Sequence, residues 1–232
     1  MPVRSEAARR RWGDLGLRLL SGAVLMPVAL LLLWAGGLAW DLLVLLAGGL
    51  AAIEWVRLCR PLRPKRRWPV LAAGVICIAP GTIALIWLRT GAAGLANVLF
   101  VLLVVWAGDI GAYLAGRAFG GPRLAPRISP GKTWSGAGGG LLAAMAVAFA
   151  FAFAVSLGPA WRALPVAAIL SVAAQGGDLM ESAIKRGFGV KDSGHLIPGH
   201  GGVLDRIDAL LTAAPLAALL ALRLGHGVHL WQ

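Results

Sequence analysis

Four stretches of this chain, residues 19–40, 70–88, 90–108 and 133–161, contain no charged residue. Each is long enough to cross a bilayer, whose hydrocarbon core takes about 20 apolar residues in a helix. Three shorter runs, 42–53, 163–177 and 209–222, reach that length once one or two flanking polar residues enter the membrane zone. Lipid offers no hydrogen bonds to the backbone, so such segments must be helices that satisfy their own N–H and C=O groups. Composition agrees: 59% of residues are hydrophobic and only 14% charged, against about 25% charged in soluble domains. The 32 glycines suit helices that approach closely in lipid. The reading is an all-α, polytopic transmembrane bundle of about seven spans, near 17–37, 39–57, 69–88, 92–114, 136–157, 163–184 and 203–223. Residues 1–90 are expected to form N-terminal transmembrane helices with a basic loop, and 91–232 a second transmembrane region. The first apolar run follows a basic segment, as a secretion signal does, but it is longer than a signal's core and more spans follow. It reads as a retained first helix.

The charges give the bundle a direction. Arg4, Arg9, Arg10, Arg11 and Arg18 precede the first span, and Arg57, Arg60, Arg63, Lys65, Arg66 and Arg67 follow the second. Arg117, Arg123, Arg127 and Lys132 follow the fourth, and Lys185, Arg186, Lys191 and Arg206 surround the loop after the sixth. Only Arg89, Arg162 and Arg223 fall on the other side. The positive-inside rule puts the amino terminus and the three loops in the cytoplasm and the carboxyl terminus outside. The expected location is the inner (plasma) membrane, with the site facing the cytoplasm. The net charge of +12 does not indicate nucleic acid, because the cations border apolar spans and no soluble basic domain exists. The segment 57–68, rich in arginine and proline, reads as a tight loop anchored on anionic lipid. Cys59 and Cys77 are the only cysteines and read as free thiols.

Six of the ten carboxylates, Asp109, Asp178, Glu181, Asp192, Asp205 and Asp208, fall in or beside two of these loops. Carboxylates at membrane depth are costly and mark functional sites. Asp178, Glu181, Ser182 and Lys185 are spaced to share one helical face, as are Asp205 and Asp208. Antiparallel neighbouring helix ends would bring these acids together, a site suited to Mg2+, which takes oxygen ligands and completes its shell with water and substrate phosphates. Upstream, Ser129-Pro-Gly131-Lys132-Thr133 resembles the end of a phosphate-binding loop. Position 126 is proline where that motif needs glycine, and no strand is expected before it, so a Walker A reading fails. Lysine, hydroxyls and backbone N–H groups entering a helix still suit a triphosphate. His195 and His200 have no cysteine near them and read as phosphate or proton-transfer contacts rather than zinc ligands.

Two segments together, Ser182-Ala-Ile-Lys185-Arg186 and Lys191-Asp192-Ser193-Gly194-His195-Leu-Ile-Pro198-Gly-His200-Gly201-Gly202-Val-Leu-Asp205-Arg206-Ile-Asp208, resemble the signature of phosphatidate cytidylyltransferases (CDP-diacylglycerol synthases). Residues 109–116 and 129–136 resemble that family's upstream motifs. Ser135 stands where family members often carry Glu or Gln. Arg18-Leu-Leu-Ser-Gly and Ala52-Ile-Glu54-Trp55 are fainter echoes. The resemblance implies condensation of CTP with phosphatidic acid to CDP-diacylglycerol and pyrophosphate, and a homodimer. It implies Asp178 and Asp205 as ligands of Mg2+. Lys185 and Arg206 are then expected beside them in catalysis. Asp109, Ser129, Lys132, Thr133, Ser182, Arg186, Lys191, Asp192, His195, His200, Gly201, Gly202 and Asp208 are expected to bind substrate. An ion-coupled transporter using the same acids is the alternative, disfavoured because the charges gather at helix ends on one side. A CTP-dependent enzyme for another lipid phosphate is a further one.

Overall fold

Each apolar run closes its backbone hydrogen bonds within itself. The computed structural model describes residues 21–155, 158–194, 196–197 and 201–232. Among the described residues seven α-helices follow one another: α1 (Ser21–Ala35), α2 (Gly37–Cys59), α3 (Pro64–Thr90), α4 (Gly94–Phe119), α5 (Trp134–Val155), α6 (Ala163–Gly187) and α7 (Leu204–Leu224). Six of them, α2 to α7, are long and apolar enough to span a membrane, and α1 contributes 15 described residues. The expected start of the first span, from 17, lies outside the described residues. The helices present large apolar side chains outward, such as Leu38, Ile76, Leu142 and Phe153, each about two-thirds exposed or more. A soluble protein does not tolerate such a surface; the protein is a multi-pass membrane protein.

Packing pairs α4 with α5, α5 with α6, α6 with α7, α7 with α3, and α3 with α2. Small residues set the spacing. On α5, Ala144, Ala148 and Ala152 are buried at every fourth position, as are Ala209, Ala213, Ala217 and Ala221 on α7. A Cβ added at Gly140 would stand 2.7 Å from the Gly108 carbonyl oxygen, and one at Gly136 2.8 Å from that of Ala112. The glycines of 136–140 thus serve mainly the α4–α5 contact, as the sequence left open. Gly36 breaks α1 from α2 with φ 65°; a side chain there would collide with Arg89, whose guanidinium donates to the carbonyls of Leu33 and Trp34.

Two expectations need correction. The segment 57–68 is not all loop, because Pro64 opens α3 and Lys65 to Trp68 are already helical. Proline reads as a helix breaker, yet at the first helical position its missing N–H costs nothing. Second, an antiparallel hairpin, β1 (Arg123–Ala125) with β2 (Ser129–Thr133), joins α4 to α5 where no strand was expected. Pro122, Pro126 and Pro130 exclude helix there, and pairing two short strands is the remaining way to satisfy the backbone.

The α2–α3, α4–α5 and α6–α7 connections lie at one end of the bundle. Arg186, at the end of α6, donates through Nε to the Ile128 carbonyl in the hairpin turn, and Glu54, near the end of α2, meets the start of α7. The opposite end holds the Gly36 break, the α3–α4 turn and the last residues. There Asn97 donates to the Val228 carbonyl and accepts from the Leu230 N–H, and Trp231 stacks on Phe100 at 5.0 Å.

Candidate active site

Close approach of α6 and α7 creates the acidic centre. A Cβ at Gly177 would fall 2.2 Å from Thr212 Oγ1, and that hydroxyl donates to the Ala173 carbonyl at 3.1 Å. The next residue of α6 is Asp178, and one turn on stand Glu181 and Ser182. Lys185 Nζ bridges the two helices, 3.1 Å from Glu181 Oε2 and 2.6 Å from Asp205 Oδ1, with only 12% of its side chain exposed. Asp205 also accepts the backbone N–H groups of Ser193 and Gly202, each at 2.9 Å to Oδ2. It thereby ties the loop 188–203 to the first turn of α7, where an anion is favoured by the helix dipole. Asp208 lies one turn further, accepting the Ala209 N–H at 2.7 Å.

The hairpin closes the centre from the other side. Lys132 on β2 reaches Asp178, with Nζ 2.5 Å from Oδ2, and Ser182 donates to Oδ1 at 3.4 Å. Thr133 caps α5 by accepting the Gly136 N–H at 3.0 Å, the arrangement favoured at helix starts. Ser135 donates to the Gly120 carbonyl and so fastens the end of α4 to the start of α5. Lys132–Asp178, Lys185–Glu181 and Lys185–Asp205, ion pairs among the described residues, all lie in this one place.

Between these elements is a cavity of about 490 Å³, within the usual range for small-molecule sites. It brings together, of the residues singled out from the sequence, Asp109, Lys132, Thr133, Asp178, Lys185, Asp192, Asp205, Arg206 and Asp208. Others stand beside it. Ser129 pairs with Ala125 in the hairpin. Ser182 bonds Asp178, Arg186 is turned onto the carbonyls of Ile128 and Val190, and Lys191 is exposed. Gly201, with φ 82°, turns the loop, and Gly202 supplies its N–H to Asp205. His195 and His200 lie outside the described residues. Five aspartates line the cavity, and among the described residues neither histidine nor cysteine does. Hard oxygen donors of this kind fit Mg2+. No three such side chains among the described residues converge as a ready-made ligand cage.

Residues 68–223 match the model of the cytidylyltransferase family. The chain belongs to that family. It is 43% identical over 205 residues to a protein of Brucella suis named phosphatidate cytidylyltransferase, covering 87% of this chain and 73% of that one. A protein of the same name from Pseudomonas aeruginosa is 45% identical over 163 residues, 69% of this chain and 60% of the other. One from Staphylococcus saprophyticus is 40% identical over 179 residues, 75% and 69%. The stretch matched by the cytidylyltransferase model contains α4 to α6, the hairpin and all but the last residue of α7, and with them every residue that lines the cavity.

Two residues close to the site were not among those the sequence assigned to it. Gln175 lines the cavity and donates to the Ala137 carbonyl at 3.3 Å, joining α6 to α5. Glu54 lies on α2, ahead of the stretch the family model matches, yet it touches both the loop and α7. Its signal was an acid within an apolar helix, which membrane helices keep only with a reason.

Proposed function

We propose that this chain transfers a cytidylyl group from CTP to phosphatidic acid, giving CDP-diacylglycerol and pyrophosphate, the activity in the name its relatives bear. The observation that carries the reading is the cavity at one end of the bundle, where Lys132, Lys185 and Arg206 from three elements face five aspartates. A triphosphate needs cations and a metal, and a lipid phosphate is delivered at the ends of membrane helices, not at their middles.

One oxygen of the lipid phosphate attacks the α-phosphorus of CTP. The bond from that phosphorus to the α–β bridging oxygen breaks, and the electron pair leaves with pyrophosphate. Such a transfer depends on positioning and on neutralising charge. Lys132, Lys185 and Arg206 are the cations for the phosphates, Lys132 at the entry to α5 as expected for a triphosphate. Lys191, on the exposed part of the loop, and Arg186, which holds the hairpin turn, complete the basic rim. Mg2+ would be held by Asp178 and Asp205, with Asp208 and Asp109 in the same cavity, and it supplies neutralisation of the phosphate charge. Asp205 already accepts Lys185, Ser193 and Gly202, so its carboxylate also orders the loop.

The end of the bundle bearing the site also bears the basic loops, and by the positive-inside rule it faces the cytoplasm of the inner membrane, where CTP is. By family resemblance the working unit is a homodimer. Gly36 and Gly48 are used within the chain, against Arg89 and Thr82, so a partner would meet other helix faces. The test of the reading is release of pyrophosphate by purified protein supplied with CTP, UTP, ATP or GTP, with and without phosphatidic acid. Release that requires both CTP and the lipid is expected. Release without lipid, or equal use of all four nucleotides, would refute it.

A further inference from the structure

We propose that Glu54 is a positioning residue for this reaction: reaching from α2, it caps α7 in place of a residue of that helix and sets where Asp205, Arg206 and Asp208 stand. The first N–H groups of a helix have no partner within it. In α7 the cap position is Val203, and no side chain of the segment itself supplies a bond there; valine is among the poorest cap residues. The acceptor comes instead from about 150 residues away. Glu54 Oε1 accepts the Val203 N–H at 3.1 Å and Oε2 the Leu204 N–H at 2.9 Å. Oε2 also accepts the Ser193 hydroxyl at 3.2 Å. Glu54 is 2% exposed, and three donors plus the positive end of a helix are what make a buried anion tolerable there.

The loop is shaped around this group. A Cβ at Gly194 would stand 2.5 Å from Glu54 Oε1, and one at Gly202 2.5 Å from Oε2. Neither position has room for a side chain while the carboxylate is in place. Ser193 and Gly202 are also the two residues whose N–H groups hold Asp205. Glu54 therefore bonds Ser193 from behind and lies against Gly202, the two loop positions that Asp205 holds from the cavity. Through them it is linked to Lys185 without touching the cavity itself.

The proposal rests on cytidylyl transfer as the activity, and the experiment separates the two. Full-length wild type, Glu54→Gln, Ser193→Ala and the double variant are purified in the same detergent, and kcat and KM for CTP are measured per folded molecule. Glu54→Gln keeps the shape but turns one of the two accepting oxygens into an NH2 group, so the Val203, Leu204 and Ser193 donors can no longer all be satisfied. We expect its kcat to fall about tenfold or more, toward the roughly hundredfold that a shift of about 1 Å costs, with KM for CTP changed less than about threefold. Ser193→Ala should fall less, in kcat as well. The double variant should be no worse than Glu54→Gln within about twofold, because both act through one contact. A purely structural role would lower the yield of folded protein and leave kcat intact. Folded Glu54→Gln with wild-type kcat, or losses that simply multiply in the double variant, would overturn the proposal. If Glu54→Gln does not fold, wild-type kcat in Ser193→Ala overturns it. No turnover by the wild type would instead sink the functional reading.

Discussion

Lys185 is the cation that holds α6 and α7 together at the site, and replacing it tests whether the acidic centre is arranged as described. Lys185→Met keeps the aliphatic stem and removes the ammonium. Glu181 and Asp205 are then left unpaired, with 6% and 5% of their side chains exposed. Removing one partner of so buried a pair costs about 3–5 kcal/mol. Asp205 keeps its two backbone donors, so the lower end, about 3 kcal/mol, is expected. In a chain of this size that lowers the melting midpoint by roughly 6 °C or more, measured by thermal unfolding in detergent. Adding Glu181→Gln should restore part of the stability, since a neutral amide does not need the ammonium. Turnover should stay low in both variants because the cation proposed to face the phosphates is still absent. A Lys185→Met protein as stable as wild type, or a double variant no more stable than the single, would refute the arrangement.

Asp178→Asn and Asp205→Asn should each reduce turnover about a hundredfold or more in folded protein, whereas Asp192→Asn, on the loop, should lose less, chiefly in apparent affinity; steady-state kinetics of the purified variants decides. Gly140→Val should abolish folding because its Cβ meets the Gly108 carbonyl, while Gly138→Val, with nothing within 4 Å of its added Cβ, should elute as wild type on size exclusion. Single cysteines near 62, 127 and 190 should be protected from an impermeant reagent outside the cell, and cysteines near 92 and 226 should react; the reverse pattern would invert the proposed orientation.

The helices were legible because lipid imposes one rule on length and polarity. The runs from residue 39 onward became α2 to α7 with ends shifted by a few residues. Motif residues on one helical face, such as Asp178 and Lys185, converged because helical spacing alone places them. What the sequence hid depends on partners far along the chain or on context. Pro64 reads as a stop and acts as a start, because only the position within the helix distinguishes the two. The hairpin at 123–133 is too short and too polar to show a strand period. Arg186, which reads as a phosphate ligand, is turned onto carbonyls of Ile128 and Val190 that no local pattern brings near. Glu54 stood in the sequence only within a faint family echo, with no role, because its donors lie 139 to 150 positions away.

The most direct measurement follows the phosphorus atoms. Purified protein in detergent–phosphatidic acid micelles with Mg2+ is given CTP labelled at the α-phosphorus in one tube and at the γ-phosphorus in another. Attack at the α-phosphorus puts the α label in the lipid and the γ label in pyrophosphate. A γ label in the lipid would make the chain a lipid kinase, and no label in the lipid from either tube would mean that this cavity does not join nucleotide to lipid at all.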